Sequence, residues 1–362
     1  MKEMKSLDHI NPIIKLTEGC NYNCYFCRYA NYKRTDEGID ENLIFKMVFE
    51  SISFNKEHGK SKINVIFHGG EPLLYGAKRL SSVLECIQSM VDDSIVVEYS
   101  IQTNSSLITD EWIDVFKKYN FDVGISLDGP PLLNEHCQTN KNKSVIEAVK
   151  KYHLLKLEKV RCGFLSVITN KHLLHLNEFF EFFVDNKIDS LGLCFCYDMS
   201  GNNNVDPLLL GKWLVGLYDL YYDSSHKINI REFDNATKRI IKKYKNIYEG
   251  PCRNNCGSYL TLQPDGRIDF CDDYDRGAEN ILGNLKVHSV CDILDGIQYK
   301  NHRCSAFAFV EEKCNACEVR CICRGGCARN DNNGNNYFCD TYKIIYPYIE
   351  KKVLDYLIGK GY

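Results

Sequence analysis

Between residues 13 and 222 the chain alternates strand-like and helix-like segments six times, and few folds accept such a sequence. Strand candidates are 13–17, 63–68, 96–103, 121–128, 160–169 and 190–196. Apolar residues recur at helical spacing over 43–56, 77–91, 110–118, 144–156, 173–186 and 208–222. A strand can follow its neighbour in parallel only through a long crossover, so repeated βα units argue for an α/β fold with a largely parallel sheet. In such folds ligands bind at the carboxyl ends of the strands, and those ends hold the informative residues.

The first strand runs into Thr17-Glu18-Gly19-Cys20-Asn21-Tyr22-Asn23-Cys24-Tyr25-Phe26-Cys27. No fourth Cys or His follows Cys20, Cys24 and Cys27 at ligand spacing. A cubane iron-sulfur cluster held here keeps one iron without a protein ligand, open to a small molecule. A structural zinc site wants four closed protein ligands and fits this spacing poorly. The 362 residues include 19 cysteines, which in a chain this large read as metal ligands rather than disulfides. Met1-Lys2-Glu3-Met4-Lys5 lacks the apolar stretch of a signal peptide, and no long apolar run follows, so a cytoplasmic protein without a membrane partner is expected. A net charge of -3 gives no reason to expect nucleic acid.

After the second strand comes His68-Gly69-Gly70-Glu71-Pro72, whose glycines let backbone approach a ligand closely. Gln102-Thr103-Asn104 and Ser126-Leu127-Asp128-Gly129-Pro130 end the next two strands on the same rim. Together with Cys-x3-Cys-x2-Cys and the aromatic Phe26 before its third Cys, these segments resemble the radical SAM superfamily. The resemblance implies a partial (β/α)6 barrel in which S-adenosylmethionine binds the open iron and is cleaved to a 5′-deoxyadenosyl radical, which abstracts hydrogen from unactivated carbon. It places cofactor contacts on Phe26, on the backbone of Gly69, Gly70 and Glu71, and on Asn104 and Ser126. One departure stands out: relatives often carry, shortly beyond the SxDGP segment, an Arg that pairs with the cofactor carboxylate, and this chain offers Gln138.

The composition changes near residue 250. Eleven cysteines lie from Cys252 to Cys339, among Gly, Asn and Asp, with only short strand-like pieces at 259–262 and 267–270. The expected division is a barrel over 1–229, a basic helical connector over 230–249, a cysteine-rich domain over 250–345 and a closing helix over 346–362. Cys314-x2-Cys317-x5-Cys323-x3-Cys327, the late Cys339 and the upstream Cys252, Cys256 and Cys271 resemble the SPASM domain of radical SAM maturases. Eight thiolates suffice for two four-iron clusters. By the resemblance Cys252, Cys256, Cys271 and Cys327 hold the first auxiliary cluster and Cys314, Cys317, Cys323 and Cys339 the second. Cys321 could replace Cys323 with a small shift of the loop, and a zinc ribbon over Cys314 and Cys317 is the simpler alternative. Most of the remaining cysteines read as small buried hydrophobes, with Cys194 and Cys196 near the rim as candidate hydrogen donors.

Asp272 follows Cys271 directly. A Cys-Asp pair here resembles anaerobic sulfatase maturases, in which the carboxylate is proposed as general base; shielding from water would raise its pKa. The plain alternative is a turn-forming Asp. Three 4Fe-4S clusters and S-adenosylmethionine suit an oxidoreductase that modifies a ribosomally made peptide, forming a thioether or carbon-carbon crosslink. The alternative is a sulfatase maturase converting Cys or Ser to formylglycine. Either needs a peptide or protein substrate and an external electron donor such as flavodoxin or ferredoxin, and a separate leader-binding protein would present the substrate. An iron-sulfur electron carrier would not need the GGEP segment or a barrel.

Overall fold

The computed structural model describes residues 7–24, 26–27, 37–134, 141–197, 204–247, 256–272, 280–308, 314–332 and 335–359. Along the chain come β1 (Asn11–Lys15), α1 (Glu41–Glu57), β2 (Lys62–His68), α2 (Ala77–Met90), β3 (Val96–Thr103), α3 (Asp110–Lys118), β4 (Asp122–Ser126), α4 (Lys141–Leu157), β5 (Arg161–Ile168), α5 (Leu176–Asp185) and β6 (Ser190–Phe195). Then follow α6 (Pro207–Asp223), β7 (Asn229–Ile230), α7 (Arg231–Tyr244), β8 (Tyr259–Leu262), β9 (Arg267–Asp269), β10 (Ile281–Asn284), α8 (Val290–Asp295), α9 (Ile297–Ala308), α10 (Arg320–Cys323), β11 (Asp331–Asn332), β12 (Asn335–Asn336) and α11 (Cys339–Gly359). All six expected strands and all six expected barrel helices are present, and the expected closing helix is α11.

Two compact units emerge. The first comprises Met1–Ser126, Glu135–Cys162 and Asn255–Ser305; the second comprises Leu127–Asn134, Gly163–Asn254 and Ala306–Tyr362. In the first, the strand order is β10-β9-β8-β1-β2-β3-β4. β8 and β1 to β4 run parallel, while β9 and β10 turn antiparallel. The central strand β1 is buried at Pro12, Ile13, Ile14 and Lys15, as a parallel strand covered on both faces must be. A ladder of aromatic rings from β2 through β3 to the residue just before β4 fills the interior, with Phe67 and Tyr99 centroids 6.2 Å apart and Tyr99 and Phe121 5.5 Å apart. Lys46 of α1 donates to the carbonyls of Leu285 and His288, and Glu50 caps the start of α8 through the Val290 N–H.

In the second unit β5, β6 and β7 run parallel. Phe179 and Phe183 of α5 pack edge-on at 5.1 Å, and Phe179 meets Trp213 of α6 at 5.3 Å. α11 lies along α6, where Thr341 Oγ1 donates to the Pro207 carbonyl at 2.6 Å. Among the described residues no helix is long and apolar enough to cross a membrane.

Candidate active site

β1 leads directly into the cysteine loop, and backbone bonds staple that loop to the turn after β2. Leu16 N–H donates to the His68 carbonyl at 2.9 Å, Gly70 N–H to Thr17 at 2.9 Å, and Glu71 N–H to Gly19 at 2.8 Å. A Cβ on Gly70 would run into the Gly19 carbonyl and lie 2.5 Å from that of Glu18, so only glycine permits this approach. Cys20, Cys24, Phe26 and Cys27 are all half-buried. Within the loop, Cys27 N–H donates to the Cys24 carbonyl at 3.0 Å and Tyr22 N–H reaches Cys20 Sγ at 3.4 Å.

The Glu71 side chain has no solvent exposure and braces the fold from inside. Its Oε1 accepts from Thr103 Oγ1 at 2.6 Å and Leu73 N–H at 3.0 Å, and its Oε2 from Asn104 N–H at 2.8 Å. Burial pushes its pKa up, against those three hydrogen bonds. With its carboxylate engaged inside the fold, the residue has only its backbone to offer a ligand. The Asn104 side chain is likewise engaged: Nδ2 donates to Asn21 Oδ1 at 2.8 Å, and Oδ1 accepts from Ser106. Asn21 in turn donates to Ser106 Oγ at 2.8 Å. The end of β3 thus holds the cysteine loop from its other side. Ser126, exposed at the end of β4, accepts from Gln102 Nε2 at 2.9 Å.

Two residues that sequence reasoning left unassigned stand beside Asp272. Lys15, 1% exposed, ion-pairs through Nζ with Asp272 Oδ1, and His68 Nε2 lies 3.9 Å from Oδ2. Lys15 and His68 are register partners on β1 and β2. Lys15 Nζ at 3.3 Å and the Gly69 N–H at 2.9 Å both approach His68 Nδ1, which must accept, so Nε2 carries the ring hydrogen on the side of Asp272. Seclusion from water was expected to act on the Asp272 carboxylate; the structure adds the buried Lys15 ammonium in direct contact with it. The signal for Lys15 was present: it is the charged residue in the apolar run from Pro12 to Leu16.

In the second unit Asp128 is buried and accepts from the Val167 N–H at 2.6 Å. Burial pushes its pKa up to about 7 in spite of that bond. The neutral His172 ring accepts from Thr169 N–H at Nδ1 and donates from Nε2 to the Asp128 carbonyl at 2.9 Å. Cys194 contacts the guanidinium of Arg231, and Cys196 is buried.

Of the cysteine-rich segment, Cys252 lies outside the described residues, as does Gln138. Cys256 and Cys271 are half-buried in the first unit; Cys256 lies near Tyr299 and Cys271 near Tyr259. In the second unit Cys327 is exposed, and its carbonyl accepts from Asn336 Nδ2 at 2.9 Å. Cys314, Cys317, Cys323 and Cys339 line a single pocket together with Arg320, Gly325, Tyr342 and Lys343. Cys321 is exposed and outside that lining, close instead to Lys243. Burial, reinforced by Cys339, Cys314 and Cys317, pushes the Cys323 thiol up to about 12, so ionising it for metal binding needs the metal's own charge. Among the described residues no three His, Cys, Asp or Glu side chains form a single-ion site. Four thiols set around a pocket rather than a point suit a multi-iron cluster.

The chain matches the Radical SAM superfamily over residues 14–183. It is 26% identical to a cysteine-type anaerobic sulfatase-maturating enzyme of Clostridium perfringens, over 94% of this chain and 95% of that one. A solved structure, native anSMEcpe with bound AdoMet and Kp18Cys peptide, superposes with a TM-score of 0.83 at 23% identity, covering 96% of this chain and 98% of the other. Streptococcus suis SuiB bound to precursor peptide SuiA gives a TM-score of 0.67 at 18% identity, covering 93% and 76%. The stapled cysteine loop, the glycine turn against it and the parallel α/β sheet agree with these likenesses, and residues 14–183 are a radical SAM domain, a family whose enzymes use S-adenosylmethionine and a 4Fe-4S cluster.

Proposed function

We propose that this chain is a maturase that oxidises a side chain of a peptide or protein, and that its product is formylglycine made from Cys or Ser. The observation that carries the reading is the Asp272 carboxylate, next to Cys271 and held by Lys15 with His68 alongside. Similarity to a sulfatase-maturating enzyme over nearly the whole chain supports it.

Cys20, Cys24 and Cys27 would hold the radical-generating cluster, leaving one iron for S-adenosylmethionine, with Phe26, Gly69, Gly70, Glu71, Asn104 and Ser126 forming the cofactor's surroundings. When bound, this pair supplies a 5′-deoxyadenosyl radical that removes a hydrogen atom from the substrate β-carbon. Asp272 takes the proton of the substrate thiol or hydroxyl, which leaves an aldehyde directly from Ser and a thioaldehyde from Cys that water then hydrolyses to the aldehyde with release of sulfide. Lys15 fixes the carboxylate and balances its charge before the transfer, and the His68 Nε2–H steadies the second oxygen. By the resemblance Cys252, Cys256, Cys271 and Cys327 would hold one auxiliary cluster and Cys314, Cys317, Cys323 and Cys339 the other, and such clusters would supply an acceptor for the electron released in the oxidation. A flavodoxin or ferredoxin would recharge the first cluster, and a separate leader-binding protein would present the substrate.

A second reading, thioether or carbon-carbon crosslinking, draws support from Gln138, which stands where relatives often have Arg. Anaerobic incubation of the reconstituted protein with dithionite, S-adenosylmethionine and peptides containing one Cys or one Ser separates the readings. Hydrazide-reactive aldehyde in the peptide is expected, together with 5′-deoxyadenosine that disappears when Cys20, Cys24 and Cys27 are replaced by Ala. A crosslinked peptide without aldehyde would overturn the formylglycine reading, and an absence of 5′-deoxyadenosine would overturn both.

A further inference from the structure

The pocket of Cys314, Cys317, Cys323 and Cys339 holds one polar group that the protein itself does not satisfy. Arg320 lines this pocket, and its Nε is buried with no hydrogen-bond partner among the described residues. The guanidinium is tethered at its other edge, where Nη1 donates to Asn315 Oδ1 at 2.6 Å. One charged N–H is thus kept from water, an arrangement that is costly where no acceptor is supplied. Buried donors left open in native proteins call for an acceptor that the polypeptide does not contain. Lys343 lines the same pocket, adding a second cation beside Cys339.

We infer that Arg320 donates its Nε–H to a sulfur of the iron-sulfur cluster bound by these four thiols and thereby raises that cluster's reduction potential. The inference rests on the reading that these thiols hold an auxiliary cluster. Reduction adds negative charge to a group already surrounded by four thiolates. A fixed N–H directed at its sulfur, on a cationic side chain, stabilises the reduced form more than the oxidised one. The placement follows from local structure. Arg320 and Cys323 stand at i and i+3 in α10, the spacing that puts two side chains on one helical face. The left-handed run Arg324, Gly325 and Gly326, with φ of 57°, 85° and 65°, then curls the chain back so that Gly325 closes the pocket. Arg320 is thus a positioning and tuning residue for the electron's exit, and it touches no substrate.

The test uses the full chain with Cys20, Cys24 and Cys27 replaced by Ala, so that only auxiliary clusters give signals. Iron and sulfide are counted after anaerobic reconstitution, and each reduction is followed by electron paramagnetic resonance during a redox titration. C314A/C339A identifies which signal belongs to this pocket. In R320M that signal is expected to shift by at least tenfold in its reduction equilibrium, ~59 mV toward lower potential for a one-electron couple, while the other signal stays in place. R320K, which keeps a charge but not the fixed N–H, is expected to fall between. Full iron content in R320M with both potentials unchanged would overturn the inference. So would loss of the cluster in R320M with a parental potential in R320K, which would make the residue a scaffold only. Equal iron in C314A/C339A and its parent would instead remove the underlying cluster assignment, and the inference with it.

Discussion

Replacing Glu71 with Gln isolates what its buried carboxylate does. Gln can keep an oxygen where Oε1 accepts from Thr103 and Leu73, but its NH2 then faces the Asn104 N–H, which now bonds Oε2 at 2.8 Å. One hydrogen bond to a charged acceptor is lost, worth about 1.5–3 kcal/mol, and a buried N–H is left opposite another donor. Removing a carboxylate whose pKa burial already raises returns part of that loss. The expected net destabilisation is about 2–3 kcal/mol. Asn104 also holds Asn21 of the cysteine loop, so a displaced Asn104 loosens the cofactor's surroundings; a shift costing ~1.4 kcal/mol means about tenfold weaker binding of S-adenosylmethionine. Chemical denaturation and equilibrium dialysis under anaerobic conditions measure both. An E71Q protein with parental stability and affinity would refute the bracing role. Collapsed affinity at parental stability would instead mean that the carboxylate itself meets the cofactor.

Three further substitutions probe the frame around the site. Burial raises Asp128 from its ordinary 3.8 to about 7, so the folded chain holds its proton more tightly than the unfolded chain; this contribution, up to about 4 kcal/mol, is complete below pH 4 and lost as pH rises through 7. D128N should therefore gain stability relative to its parent between pH 5 and pH 8 in denaturant titrations, and a relative loss would reverse the sign of the argument. K15M leaves the Asp272 carboxylate without its buried cation and should cost about 3–5 kcal/mol, with K15M/D272N recovering much of it in a double-mutant cycle; additive losses would deny the pair. G70A drives a methyl group into the Gly19 carbonyl and should displace the cysteine loop, lowering cluster iron after reconstitution, and parental iron and absorbance would contradict the close approach.

The barrel was legible because a two-sided parallel sheet imposes both periods on the sequence: β2 and β5 alternate buried and half-buried residues along their lengths, and α2, α3 and α5 bury one face each. The helices α8 and α9 after β10 were not. The six residues of α8 are too few to show a period, although Ser289 and Asp292 form a capping box that could have marked its start. α9 shows little one-sidedness, so periodicity has nothing to report there. The cluster around Asp272 was hidden for a different reason. It depends on Lys15 lying opposite His68 across parallel strands and on a residue more than 250 positions away in sequence, and register is a tertiary property. Cysteine spacing pointed to a metal site but left Cys321 and Cys323 open. The structure puts Cys323, at i+3 from Arg320, in the lining of the pocket and Cys321 outside it.

On the proposed function, radical generation and product choice reside in different residues, and this division gives D272N its value. Nothing about the cysteine triad or the glycine turn specifies what becomes of the substrate radical; a group that removes its proton does. In D272N the amide keeps the shape of the side chain but accepts protons poorly, and Lys15 loses only its counter-charge. Hydrogen abstraction should persist, read as 5′-deoxyadenosine formed in the presence of peptide. Aldehyde formation should fall by about 10²–10⁴-fold, the usual contribution of a positioned general base. The ratio of 5′-deoxyadenosine to modified peptide therefore rises, a change that misfolding cannot mimic because it would lower both together. If D272N instead yields aldehyde in parental proportion to 5′-deoxyadenosine, the proton leaves by another route, and the ion pair with Lys15 only holds together the segment that follows β9.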